Sequence, residues 1–330
     1  MLRGADRIPA VLPGRVVRHT RRVVVTTSTT QHPRSLMEMT AMTLLTGPHT
    51  TSTQATPGHV RGTSRRRRLV EAVAFVAVWV AAGYLLGLSA NGYLLLGVPL
   101  TAAFQLLVRR RPLRELFAGN TSRFALSRRG AVMAAVLAVV PGYYAVQAGV
   151  AGDRTLLGWN LAAMAGAVAA AFSIRAGSVL ATLRSAALPI AIGASGFAIV
   201  FGIVHIATGT PLPAMAALAT VAKYTALYFP ATFLLEEVAF RGALDAHVHH
   251  DGDSRGWQSA VFVSALWGLW HLPVSSVQLP LPLLVAQLVV VHVLLGVPLS
   301  IAWRRSRNLA GPALAHAVND AVRNAAMLGL

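Results

Sequence analysis

Two adjacent carboxylates, Glu236 and Glu237, stand inside the apolar run Phe233-Leu234-Leu235-Glu236-Glu237-Val238-Ala239-Phe240-Arg241-Gly242, with an arginine one turn later. A charged side chain at the centre of a membrane helix costs about 2.5–3.5 kcal/mol on insertion scales, so two together call for a compensating role. On an α-helix Glu237 and Arg241 are four residues apart, share a face and can pair. Glu236 points about 100° away and is left without a local partner. One paired carboxylate and one spare is what a positioned acid or base needs. Three further polar groups interrupt apolar runs. They are His271 in Trp267-Gly268-Leu269-Trp270-His271, His316 with Asn319 and Asp320, and the isolated His292. His316 and Asp320 are four apart and face one way. Counted at 1.5 Å per residue from their helix ends, Glu236, His271 and His316 lie about 10–20 Å deep, at one level. A carboxylate, two imidazoles and a further oxygen ligand suffice to activate water, with or without a metal.

Each group alone has a plainer reading. Glu237 with Arg241 is a helix ion pair, His271 a histidine bonded to a neighbouring helix, and His316 with Asp320 an interhelical clasp. His292 reads as a packing or proton-linked residue. His247, His249, His250, Asp251 and Asp253 read as a solvated loop rather than a metal cluster, and Lys223 is placed to snorkel toward an interface.

The elements that must carry these groups are membrane helices. The chain of 330 residues is 55% hydrophobic and 12% charged, with mean hydropathy +0.58, and most of it falls into apolar runs near twenty residues. Runs of that length cross a bilayer as helices. The fold class is therefore all-α, a polytopic transmembrane bundle of about eight or nine spans. Spans are expected near 69–89, 92–108, 131–150, 156–174, 185–207, 213–240, 258–272, 280–302 and 308–328. The chain holds no cysteine, which excludes disulfides, thiolate nucleophiles and cysteine-based metal or iron–sulfur sites.

The net charge of +18 resembles a nucleic-acid signal until it is located. Residues 1–68 contribute +10, and the rest of the excess sits largely between apolar runs. Arg65–Arg68, Arg109–Arg114 with Arg123, Arg128 and Arg129, then Arg175 with Arg184, and Arg304 with Arg305 and Arg307 all fall on one side of the membrane. The positive-inside rule makes that side cytoplasmic and places the N-terminus there. Topology, not nucleic-acid binding, explains the charge. Residues 1–68, rich in Thr, Ser, Pro and Arg, read as a disordered basic tail. Their composition also suits a transit peptide, and a later start at Met37, Met39 or Met42 is an equal alternative. The chain thus divides into this tail, N-terminal transmembrane helices at 69–174, and a polar-bearing core at 185–328.

A Glu-Glu-x-x-x-Arg, an aromatic-x-x-x-His and a His-x-x-x-Asn/Asp, each on its own membrane helix and in this order, resemble the CPBP family. This family comprises CAAX-prenyl-protease-like and bacteriocin-processing intramembrane proteases, also called Abi. The resemblance covers roughly residues 185–328. It implies an intramembrane endopeptidase in which Glu236 activates water and Glu237 with Arg241 forms the supporting ion pair. His271 and His316 hold the water or a metal, and Asp320 takes the last motif position. Trp267 stands where phenylalanine is commoner. The best-studied relatives carry asparagine at the Asp320 position, where an amide N–H donates to an oxyanion. An ionised Asp320 does not donate, so it is protonated, ligates a metal, or leaves that task to Asn319. The family has been described as metal-dependent and as metal-free, so a divalent metal such as zinc on Glu236, His271, His316 and Asp320 stays open. No His-Glu-x-x-His is present. The implied partners are a membrane-associated peptide or protein substrate and the lipid bilayer, and the implied location is a bacterial plasma membrane. Two other functions fit the same residues. One is a non-catalytic scaffold or immunity-type protein. The other is an ion transporter relaying through Glu236, His271, His292 and His316, although no repeat of span pattern marks the two halves.

Overall fold

The computed structural model describes residues 64–119, 124–250 and 256–328. Among the described residues the chain forms nine helices and no strand. They are α1 (Arg65–Leu85), α2 (Ala90–Val108), α3 (Arg128–Ala151), α4 (Arg154–Ala176), α5 (Val179–Thr208), α6 (Ala214–Val248), α7 (Gly256–Trp270), α8 (Leu281–Ser306) and α9 (Ala310–Ala326). The apolar runs therefore fold as helices in the expected order. Seven of them, α1–α6 and α8, are long and apolar enough to cross a membrane. The helices bearing the second and third motifs are shorter, 15 residues in α7 and 17 in α9.

Local chemistry explains where the boundaries differ from the hydropathy reading. Residues 1–63 of the basic tail lie outside the described residues, but Arg65–Arg68 form the first turn of α1 instead of extending the tail. Ser64 caps that turn by accepting from the Arg67 amide, and Arg67 pairs with Glu71 at 2.8 Å one turn on. Helix α5 starts at Val179, six residues earlier than its apolar run. Ser178 caps it, Oγ accepting from the Ala181 amide at 3.1 Å, and Arg184 is carried inside the helix.

Small residues set how closely the helices approach. Helix α9 packs against α5 and α6 through a buried face of Ala313, Ala317 and Ala321, with Gly311 against Ser185. Without a hydrophobic drive between membrane helices, such faces let backbones come within contact of one another. Helices α7 and α8 meet at Ser264, Gly268 and Gly296 in the same way: a Cβ on Gly268 would lie 2.5 Å from the carbonyl oxygen of Leu288. Gly268→Ala is therefore expected to cost about 1–3 kcal/mol, the usual range for overpacking, read as a lowered thermal midpoint in detergent. Gly202→Ala, with open space around it, serves as the control that leaves the midpoint in place.

The arginine-bearing helix ends are stitched together. Arg109 at the end of α2 donates to the carbonyls of Gly242 and Ala246, and Arg304 of α8 pairs with the buried Asp245. Asn308 Nδ2 reaches the Ser173 carbonyl of α4. His247, expected in a solvated loop, is instead buried. Its Nε2 lies 2.8 Å from Glu71 Oε2, and its ring meets Phe104 edge-on. Asp251 and Asp253 lie outside the described residues. Lys223 sits over the rings of Tyr144 of α3 and Tyr224 of its own helix.

Candidate active site

The polar residues of the first motif do not lie on an α-helix. Over Phe233–Asp245 the long helix α6 changes to a π-helix, its amides bonding five residues back. The change begins three residues after Pro230, which has no amide to give the ladder, and one after Thr232, whose Oγ1 donates to the Tyr228 carbonyl at 2.9 Å. A wider turn rotates successive side chains by less than the 100° of an α-helix. Glu237 pairs with Arg241 of its own helix and with His316 of α9, whereas Glu236 has no partner on α6 and meets Trp267 of α7 and His316 of α9.

The two glutamates nevertheless have different surroundings. Glu237 is completely buried, and its Oε1 accepts from Arg241 Nη1 at 2.9 Å and from His316 Nδ1 at 2.8 Å. The side chain of Glu236 is 12% exposed. Its Oε2 accepts from the indole Nε1–H of Trp267 at 3.0 Å and lies 3.9 Å from His316 Nε2. His316 thus spans the pair, one ring nitrogen on Glu237 and the other facing Glu236. Its Nε2 is also 3.5 Å from Asp320 Oδ2, and Asp320 Oδ1 is 3.2 Å from Arg323 Nη1.

Trp267 is the hub of the arrangement. The rings of His316, His292 and His271 stand edge-on to it at 5.0, 4.7 and 5.7 Å, and the Arg241 guanidinium lies 4.3 Å from its centroid. The aromatic residue of the second motif is therefore both a wall and the hydrogen-bond donor to Glu236. That second role was available in the indole N–H. Behind it, Trp79 Nε1 donates to the Tyr93 carbonyl at 3.0 Å and the Tyr93 hydroxyl to the Trp270 carbonyl at 2.8 Å, which fixes the end of α7.

The structure brings together Glu236, Glu237, Arg241, Trp267, His271, His316 and Asp320, and adds His292, which no motif contains. It does not bring Asn319 in. That amide turns toward α5, Nδ2 donating to the Pro189 carbonyl at 3.3 Å with Gly193 packed against it. Among the described residues no group of three or more His, Asp and Glu side chains is arranged as a ready-made metal site. The Nδ1 of His316 is engaged by Glu237, and that of His271 by a backbone carbonyl.

Residues 218–322 match the model of the family described as type II CAAX prenyl endopeptidase Rce1-like. The three motifs lie within that matched range, which contains every residue of the cluster, from Glu236 to Asp320. No curated protein and no solved structure matches the chain. The match to the Rce1-like model, together with seven helices long and apolar enough to cross a membrane, supports an integral membrane protein and, at the level of the family, an intramembrane endopeptidase.

Proposed function

We propose that the chain is an intramembrane endopeptidase in which Glu236 is the general base for water attack on a peptide carbonyl. The observation carrying this reading is the unequal treatment of two neighbouring carboxylates. Glu237 is sealed and doubly bonded, whereas Glu236 is held by one N–H donor and reaches accessible space. A base needs that combination of fixed geometry and access to a proton.

In the proposed step, the water oxygen bonds to the carbonyl carbon while one of its protons passes to Glu236. The tetrahedral intermediate then collapses, the C–N bond breaks, and Glu236 returns the proton to the leaving nitrogen. His316, oriented by Glu237, presents Nε2 toward the Glu236 side of the site, where its N–H is suited to the developing oxyanion. With Asn319 turned to α5, His316 is the donor this chain offers there. His271 holds the water through its free ring nitrogen. Asp320 orients His316 from the opposite side and is itself tied to Arg323.

The arginine-rich helix ends support a cytoplasmic N-terminus, and the substrate is a membrane-tethered peptide or protein. Trp267→Phe keeps the aromatic wall but deletes the donor to Glu236. A hydrogen bond to a charged group contributes about 1.5–3 kcal/mol to the folded state, so the thermal midpoint should fall measurably, and cleavage should slow by about ten- to a hundredfold if the same contact is kept through the reaction. The function is tested by comparing new peptide termini in membranes of cells carrying wild type or Glu236→Ala. Termini present only with the wild type support it, and identical sets contradict it.

A further inference from the structure

Of the three histidines and one carboxylate that ring Trp267, His292 has no role in the chemistry above, and it is not a peripheral residue. It lies on α8, nine-tenths buried, and its ring lies 4.1 Å from that of His271 with a 37° tilt. Building on the proposed peptidase reading, we infer that His292 is a positioning residue that holds the imidazole of His271 with its Nε2 bare and turned to the site.

His271 needs such a support because of where it sits. Helix α7 ends at Trp270, so His271 lies just past it, at the start of the single turn Leu272–Val274. Its backbone is not fixed on both sides by a continuing helix. Its ring is instead set by neighbours: Trp267 edge-on at 5.7 Å, Trp270 edge-on at 4.8 Å, and His292 across its face. Trp267 and Trp270 belong to His271's own chain segment. His292 is the wall supplied by another helix, and α8 comes close enough to supply it because Gly268 lets the Leu288 backbone approach.

The hydrogen bonds fix the same state in both rings. His271 Nδ1 is 2.9 Å from the Trp267 carbonyl, and His292 Nδ1 is 2.6 Å from the Leu288 carbonyl, each one turn back on its own segment. A carbonyl only accepts, so Nδ1 carries the proton in each, and a neutral imidazole then has a lone pair at Nε2. A lone pair at His271 Nε2 is what holding a water by one of its hydrogens requires. The Leu288 carbonyl that anchors His292 is the one that meets Gly268, so the same helix contact positions the wall and the ring it supports.

The test uses the full chain in lipid nanodiscs with a membrane-tethered peptide that the wild type cleaves. His292→Ala is expected to lower kcat about a hundredfold with KM unchanged, the scale of effect that an ångström-sized misplacement of a reacting group produces. His292→Phe restores the wall and should recover most of that loss, which also shows that the site tolerates substitution there. Independently of cleavage, 15N-histidine NMR, with His271 assigned through His271→Gln, should show one Nδ1-protonated tautomer in wild type and a tautomer mixture in His292→Ala. An unchanged His271 signal in His292→Ala overturns the inference whether or not peptide is cleaved. So does wild-type kcat in His292→Ala. If wild type and Glu236→Ala cleave alike, the peptidase reading fails while the tautomer measurement still decides the role of His292.

Discussion

Glu236→Gln is expected to slow peptide cleavage by about 10²–10⁴-fold, the usual share of a positioned acid–base group, with the melting temperature close to wild type. Glutamine has the size of glutamate, and its amide oxygen can still accept from Trp267 Nε1, so the local packing survives. What it cannot do is take a proton from water. Glu236→Asp keeps the proton chemistry but withdraws the carboxylate by one methylene, and should fall between the two. The comparison is read as initial rates on one membrane-tethered substrate, alongside thermal midpoints of each variant. Equal rates for wild type and Glu236→Gln would remove Glu236 from the chemistry.

Arg241→Ala should do the opposite and damage the fold first. Arg241 is 1% exposed and Glu237 fully buried, so deleting the arginine leaves a carboxylate in the interior with His316 as its remaining partner. Breaking a buried pair from one side costs about 3–5 kcal/mol. The loss of the guanidinium above Trp267 adds to this, since a desolvated cation–π contact contributes about 2 kcal/mol. The expected result is a protein that extracts poorly or melts far below wild type. Glu237→Leu combined with Arg241→Leu should be less destabilised than the sum of the single changes, because the double variant leaves no lone charge. A strictly additive double variant would show that the pair is not coupled.

Much of this architecture is legible in the sequence. Apolar runs separated by arginines mark the order of the helices, because the cost of burying charge in lipid forces that pattern. The four-residue spacing of Glu237 and Arg241 likewise announces the ion pair found at 2.9 Å. The π-helical stretch was not legible. It arises where Pro230 and Thr232 disturb the ladder and where arginines from α2 and α8 hold the far end through Gly242, Ala246 and Asp245. His247 was misread because its partner, Glu71, is 176 residues away in the chain. Asn319 sits inside the third motif, between His316 and Asp320, yet its amide is packed at Gly193 and bonded to α5. The one available sign for His292 was an imidazole in an otherwise apolar helix. Its companion, His271, lies on a different segment, so spacing alone could not join them.

The central claim is that α6, α7 and α9 bring an accessible glutamate, supported by imidazoles, to a site where water cleaves a peptide bond. The most direct measurement is proteolysis by purified protein in liposomes bearing a library of membrane-tethered peptides, with products read by mass. Wild type should generate defined fragments that Glu236→Ala, folded to the same extent, does not. Fragments identical in kind and rate from the two proteins would contradict it.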